Sequence, residues 1–294
     1  MDRNVFWCFL RRGAVCLLLG LLLAGSAFSS YAFAPWSRVG SQWMNADGKT
    51  AIEGAVAKGI TITKYQNRAG AINWKRVSGE IDFAMVRLGY RDLKDSYFDT
   101  NMREAAGVGI DTGVCFYGDA LTPEEAREEA AYVLDQIKYY RVSYPIAYDL
   151  QNEYIAEQKL TKKKITEILN TFCEEIEAAG YSCVICGDYE WLSRNVDLHH
   201  LDPGIWYSRY GMVSAFPGRT IWRCTDQASV SGIKGNVCLE FSFHDYTKDS
   251  EDGFRTIGGK DYYFQGHQMV RSGYLEIDGQ TYFFREDGSL ESEK

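Results

Sequence analysis

Residues 144–154 read YPIAYDLQNEY. Pro145 to Leu150 is a short apolar run with a proline at one end and a polar cluster at the other, which predicts a buried strand. At its end Asp149 and Gln151 stand two residues apart, so their side chains share one strand face, roughly 6.6 Å apart at about 3.3 Å per residue. Polar side chains at the C-terminal end of a strand sit where a parallel β/α barrel carries its chemistry.

The segments on either side alternate between strand and helix. Upstream, TGVCFYGDA predicts a strand, and Thr122 with Glu125 forms a capping box with Pro123 at the first helical position. The helix EEAREEAAYVLDQIKYY then leads into the central strand. Downstream, an amphipathic helix runs from about Lys162 to Ala179 and stops at Gly180, followed by the strand YSCVICGD and the short helix DYEWLSRNV. Nearer the N-terminus, GITITKYQ (59–66) alternates like a strand, AINWKRV starts a short helix, IDFAMVRLGY (81–90) is a buried strand, and FDTNMREAAGVGI is a helix ending at glycine. From Gly204 onward short strands follow without helices: IWYSRY, TIWRCTDQ and NVCLEFSF. Such alternation with short connections indicates a parallel β/α sheet or barrel.

With 294 residues, 46% hydrophobic and 24% charged, the chain suits one large domain or one domain plus a small appendage and has a globular composition. A formal charge of −8 carries no nucleic-acid footprint. Residues 1–34 have the form of a targeting segment: Arg3, Arg11 and Arg12, an apolar stretch from Gly13 to Ala24, and an A-x-A-like site at Ala32-Phe33-Ala34. Export follows, with cleavage expected and an uncleaved membrane anchor as the alternative. Six cysteines lie beyond this leader, Cys115, Cys173, Cys183, Cys186, Cys224 and Cys238, and six thiols allow 15 pairings.

Taken in order, several motifs resemble glycoside hydrolase family 25, the Chalaropsis-type lysozymes or N-acetylmuramidases. They are GITITKYQ with the following NW, the IDFAMVRLGY strand with Arg87, Gly89 and Tyr90, YPIAYDLQNEY, IWYSRY, and TIWRC…GNVCLEF, together about Gly59 to Asp245. The resemblance implies an irregular TIM-like β/α barrel with antiparallel last strands, an α/β fold, acting on or binding peptidoglycan glycan without a cofactor or metal. It also implies four acidic positions, which here hold Thr61, Asp149, Gln151 and Cys238. Only Asp149 remains an acid. Glycoside hydrolysis normally needs two carboxyl groups flanking the bond; Thr and Gln side chains do not ionise in this role, and a free thiol has a pKa near 8.5. The implied protein is therefore an exported, hydrolytically impaired lysozyme-like pseudoenzyme. One alternative is an active N-acetylmuramidase pairing Asp149 with Glu240 or Asp188, with Asp119 a weaker substitute. Another is a structural or adhesive wall protein.

Tyr65, Gln66, Tyr90, Tyr117, Tyr148, Trp206, Tyr207 and Trp222 are candidates to line a glycan groove by stacking and hydrogen bonding, with plain core packing the alternative for each. Cys115, Cys186 and Cys224 fall where the family has Tyr, and Cys238 where it has Asp; all four are placed at the barrel mouth, with Cys224–Cys238 the expected disulfide. Residues 254–290 repeat at a spacing of twenty: Tyr262-Tyr263-Phe264 against Tyr282-Phe283-Phe284, with SGYLEIDG between. This small C-terminal β-hairpin module resembles choline- or glucan-binding wall repeats, with Tyr274 in a position those repeats give to Trp. Tyr262, Tyr263, Tyr274 and Tyr282 are its candidate contacts, either to choline or another wall polymer or, as a remnant, to the main domain. The expected organisation is a leader over 1–34, a linker over 35–57, the barrel over 58–246 and the repeats over 251–294, in a secreted or cell-surface protein.

Overall fold

The computed structural model describes residues 32–249, 252–257 and 259–291. Nearly all of the expected leader, residues 1–31, lies outside them. Among the described residues no helix is long and apolar enough to cross a membrane. The chain divides between Ala51 and Ile52 into two units. In the first, β1 (Arg38–Val39) and β2 (Gln42–Trp43) pair antiparallel. The buried Asn45 amide donates to the carbonyls of Thr50 and Ala51 at 3.2 and 3.1 Å. Part of the expected linker is thus a hairpin with its own polar lock.

The second unit is organised by a closed sheet. Strands β3 (Ala57–Ile62), β4 (Phe83–Tyr90), β6 (Asp111–Tyr117), β7 (Ile146–Asp149), β8 (Cys183–Asp188), β9 (Gly204–Ser208) and β10 (Arg219–Ala228) follow one another in parallel. The ring closes through β11 (Val237–Ser242), antiparallel to both β10 and β3, while β5 (Leu93–Lys94) hangs from the end of β4. Helices make the crossovers because their ends are written into the chain. Thr122 accepts a hydrogen bond from Glu125 N at 3.2 Å to open Pro123–Ile137. Helix Lys162–Ala178 ends just before Gly180, whose φ of +79° suits a residue without Cβ.

GITITKYQ is not one strand throughout. Thr63 and Gln66 close a capping box, so β3 stops at Ile62 and Lys64–Ala69 is a short helix carrying Tyr65 and Gln66.

Alternation along each strand sorts the side chains. Phe83, Met85, Cys115, Ala147, Val184, Cys186, Trp206 and Ile221 fill the barrel as a buried cluster. Outside, Tyr148 stacks on Phe172 at 3.8 Å and lies near-parallel to Phe116 at 6.4 Å, joining β6 and β7 to the helical layer. The apolar filling occupies the N-terminal and middle layers; Tyr117, Asp149 and Asp188 end their strands at the opposite mouth.

The disulfide is Cys173–Cys183, with Cα atoms 5.3 Å apart; it ties helix Lys162–Ala178 to the start of β8. The expected Cys224–Cys238 bond is absent, and both thiols are free. Their strands are neighbours as anticipated, but Cys238 shares the inner face of β11 with Glu240, which reaches Arg223 inside the barrel. Cys224 follows Arg223 directly and therefore points to the other side, where its thiol donates to the Leu239 carbonyl at 3.3 Å. It does not line the mouth.

In the tail, β12 (Gly253–Ile257), β13 (Lys260–Gln265) and β14 (Gln268–Met269) form one sheet, and β15 (Gly273–Ile277) pairs with β16 (Gln280–Phe284). The two hairpins share a register: Phe254 faces Tyr263 and Tyr274 faces Phe283. Phe264, fully buried, meets Tyr181 edge-on at 5.9 Å, and the Arg255 guanidinium lies 4.1 Å from Phe264 and 5.1 Å from Tyr181. Val142 N donates to His267 O at 3.4 Å. The tail thus packs on segments that precede β7 and β8, at the N-terminal face of the barrel.

Close packing inside the ring sets a first test. A Cβ at Gly113 would stand 2.6 Å from Met85 Sδ and 2.7 Å from Pro145 O, whereas one at Gly107 meets nothing within 4 Å. Gly113→Ala should cost about 1–3 kcal/mol through overpacking, and Gly107→Ala should be neutral or stabilising. Urea unfolding of both variants measures the contrast.

Candidate functional site

At the C-terminal mouth, Asp149 leaves β7 facing inward and is only 7% exposed. Its Oδ1 accepts from Gln151 N at 2.7 Å. Burial pushes its carboxyl up to about 7, helped by the nearby Asp188 charge and opposed by the Gln151 N–H, Arg223 and the Cys186 thiol. A carboxyl in that range exchanges a proton readily near neutrality.

Gln151 and Asp188 form a matched pair. The amide Nε2 donates to Asp188 Oδ2, and Oε1 accepts from Asp188 N at 2.8 Å. Asp188 Oδ1 meanwhile accepts from Trp191 N at 2.6 Å, as the N-cap of helix Tyr189–Asn195. Its carboxylate is therefore occupied on both oxygens.

Glu240 is fully buried beside the third and fourth positions of interest. Its Oε1 accepts from Thr61 Oγ1 at 2.8 Å and from Arg223 Nε at 2.9 Å, and Arg223 Nη2 reaches Thr61 Oγ1 at 2.9 Å. The guanidinium carbon lies 4.5 Å from the Trp206 ring centroid. Burial raises the Glu240 carboxyl, while Arg223 and Thr61 pull it back. Cys238 pairs with Thr61 across β11 and β3, and its thiol is held up by burial. Cys115 and Cys186 are buried in the barrel between these groups, the first pushed up to about 12, so both are neutral thiols at pH 7.

The aromatic candidates divide by exposure. Tyr65 is exposed, Tyr90 and Tyr117 are half-buried at strand ends, and the Gln66 side chain bonds Thr63 and Asn236 O. Tyr148, Trp206, Tyr207 and Trp222 have no exposed surface. The last four pack instead of lining an open groove: Tyr148 bonds Glu129, Tyr207 donates to Ser214 O at 2.8 Å, and Trp222 Nε1 donates to Arg209 O at 2.8 Å.

Two groups escaped the sequence reading. Arg223 is a cation set within an otherwise apolar strand start, TIWRC, and that break in pattern was its signal. Glu129 sits on helix Pro123–Ile137 next to the buried Ala130. Its carboxyl is pushed up to about 7 by burial while accepting from Tyr148 and from Asp119 N at 2.8 Å. It borders a cleft of about 370 Å³ with Arg91, Asp119, Tyr132 and Tyr154. Asp119 is ion-paired to Arg91, not turned toward Asp149 as a free acid.

Against known proteins, the model of glycosyl hydrolases family 25 matches residues 60–233, more than half of the chain. The chain belongs to this family. No curated protein matches it. Among solved structures, the modular autolysin LytC from Streptococcus pneumoniae, in complex with a synthetic peptidoglycan ligand, is 28% identical with a TM-score of 0.60 over 71% of this chain and 52% of that one. The chain thus spans about half the length of that autolysin. A bacterial lysozyme from Streptomyces coelicolor (19% identity, TM-score 0.54, 65% of this chain and 94% of that one) shares the fold. So does a family 25 glycosyl hydrolase from Bacillus anthracis (16%, 0.56, 66% and 91%). Family 25 is a family of peptidoglycan-acting hydrolases, and its barrel accounts for the antiparallel β11 that closes this ring.

The Asp149 environment sets a pH-dependent test. With a folded-state pKa near 7 against 3.8 for the free group, the native state holds the extra proton between those values. Stability therefore falls as pH rises from about 4 to 7, by up to about 4 kcal/mol in total. Asp149→Asn removes this penalty, so thermal melts should show it stabilised relative to the parent at pH 8 and much less so at pH 5. Equal differences at both pH values would contradict the buried, raised carboxyl.

Proposed function

We propose that the chain is an exported wall-associated protein whose barrel holds peptidoglycan glycan and whose hydrolytic activity is impaired. The observation that carries this reading is the state of the acids around Asp149. Gln151 is locked to Asp188 as an amide, and Glu240 is locked to Arg223 as an ion pair. Thr61 and Cys238 complete the mouth with groups that carry no charge near neutrality. Bond cleavage between two flanking carboxyls has only one unencumbered acid here. Losing general acid–base assistance costs about 10²–10⁴-fold in rate. Half-buried Tyr90 and Tyr117, with exposed Tyr65, supply the stacking faces that remain for a saccharide.

Export rests on the basic and apolar leader of residues 1–34 and on the surface location common among family 25 cell-wall hydrolases. The tail adds a second contact with the wall. Tyr274, 68% exposed, and Phe254, 45% exposed, are its outward aromatic faces, suited to choline or another wall polymer. A structural or adhesive role for the whole chain would rest on these faces alone.

One observation favours a second reading, an active N-acetylmuramidase. Asp149 has the raised pKa of a working general acid, and Asp188 lies close enough to influence it. Release of soluble muropeptides from purified walls decides between them. We expect release at least about 10²-fold below an active family member assayed alongside, unchanged by Asp149→Asn, together with retention on insoluble wall that weakens when residues 251–294 are removed. Ordinary turnover abolished by Asp149→Asn would establish the second reading instead.

A further inference from the structure

Among the arginines at the mouth end of the barrel, Arg87, Arg91 and Arg223 are each neutralised by a carboxylate. Arg87 pairs with Asp95 at 2.9 Å, Arg91 with Asp119, and Arg223 with Glu240 at 2.9 Å. Arg209 is different. It is exposed just past the end of β9 and has no carboxylate partner among the described residues. Its guanidinium carbon lies 4.4 Å from the centroid of the Tyr189 ring, which Phe216 in turn meets edge-on at 5.1 Å. One face of the guanidinium is thus held against a braced aromatic wall, while its N–H groups bond nothing among the described residues. An arginine fixed in this way loses less freedom on binding a planar anion than a mobile one does.

Tyr210, the next residue, is 56% exposed, and neither its ring nor its hydroxyl has a partner among the described residues. β9 and β4 lie on opposite sides of the closed sheet, each two strands from the β7 that carries Asp149. Tyr90 ends β4, so Tyr90 and Tyr210 flank the mouth from opposite sides with Asp149 between them. The Tyr210 phenol lies within electrostatic reach of Asp226, Cys238 and Arg223, and the Tyr117 phenol within reach of Asp149 and Arg223. Both therefore turn toward the same internal web. The acids around this wall fix its polarity. Asp226 stands by the Tyr210 phenol, whereas Asp188, level with Ser208 across β8 and β9, already has both oxygens hydrogen-bonded. An anion is thus repelled on the Asp226 side and drawn to Arg209.

We propose that Arg209 and Tyr210 form the acid-reading wall of the glycan groove, Tyr210 stacking on a sugar ring while the Arg209 guanidinium takes a carboxylate that the sugar carries. This inference rests on the reading of the mouth as a holder of glycan and adds its selectivity. Peptidoglycan alternates a neutral amino sugar with one that bears a lactyl carboxylate; chitin-type chains carry the neutral unit alone. The tyrosines of the opposite wall can stack on either unit. Arg209 tells them apart, because Arg87, Arg91 and Arg223 would each have to leave an acid that already holds them.

The test titrates the full chain calorimetrically with the disaccharide N-acetylglucosaminyl-N-acetylmuramic acid and with neutral diacetylchitobiose, at low and at high salt. Both should bind, the acidic sugar about fivefold more tightly, the effect of one exposed ion pair, with the excess shrinking as salt rises. Arg209→Gln should remove the excess and leave the affinity for diacetylchitobiose unchanged, and Arg209→Lys should keep part of it. Tyr210→Ala should weaken both sugars about tenfold, and Tyr210→Phe neither. Both side chains are exposed, and the Arg209 backbone bonds to Arg223 O and Trp222 Nε1 survive substitution, so the variants should fold as the parent does. If neither disaccharide binds, the glycan reading and this inference fall together. If the two sugars bind equally, if the excess survives in Arg209→Gln, or if Tyr210→Ala changes neither affinity, the inference falls and the glycan reading stands.

Discussion

A guanidinium enclosed in a barrel dictates what may surround it. Burying Arg223 and Glu240 costs several kcal/mol per ion, which is offset only by their pairing and by further hydrogen bonds. Thr61 supplies one such bond to each: its hydroxyl donates to Glu240 Oε1 and accepts from Arg223 without adding charge, while Glu240 Oε2 is buried without a partner among the described residues. An aspartate at 61 would set a second carboxylate against the same cation and leave the web with a surplus negative charge. Cys238, one layer nearer the mouth, is likewise neutral. Thr61, Arg223, Cys238 and Glu240 thus form one connected set in which only Arg223 and Glu240 make the ion pair. The barrel holds a single internal ion pair here, with the Trp206 ring as its platform.

The other half of the mouth obeys a similar constraint. Asp188 caps a helix, its Oδ1 accepting from Trp191 N. The side chain at 151 donates to Asp188 Oδ2 and at the same time accepts from Asp188 N. An amide does both. A glutamate would bring two carboxylates together and force them to share a proton. Asp149 then inherits its raised pKa from burial and from that same negative neighbour.

The order of strands and helices was legible because each rests on local signals: the apolar run at 145–150, the Thr122 cap, the glycine after Ala179. Asp149 and Gln151 were legible because a two-residue spacing places both at a strand end. What remained hidden depended on partners distant in sequence. Glu240 was visible as an acid on the inner face, but its pairing with Arg223 and Thr61 joins three strands. Cys224 and Cys238 were placed on neighbouring strands correctly, yet the register and the inward turn of Arg223 put their thiols on opposite sides. Tryptophan and tyrosine at 206, 207 and 222 look alike in sequence whether they stack a sugar or fill a core, and only the closed ring shows that they fill it.

The tail extends the same packing logic outward. A two-stranded hairpin has one apolar face and nothing of its own to cover it. Here Phe264 covers itself against Tyr181 under Arg255, so the barrel acts as the cap on which the first hairpin rests. The second hairpin then leans on the first, with Tyr282 5.0 Å from Phe254 and Phe284 6.3 Å from Tyr263. Twenty-residue spacing with an unchanged register lets such stacking propagate, each unit burying its neighbour's aromatics and leaving one outward ring, Phe254 and then Tyr274. Because the stack begins at the N-terminal face, its outward rings lie beyond the end of the barrel opposite Asp149.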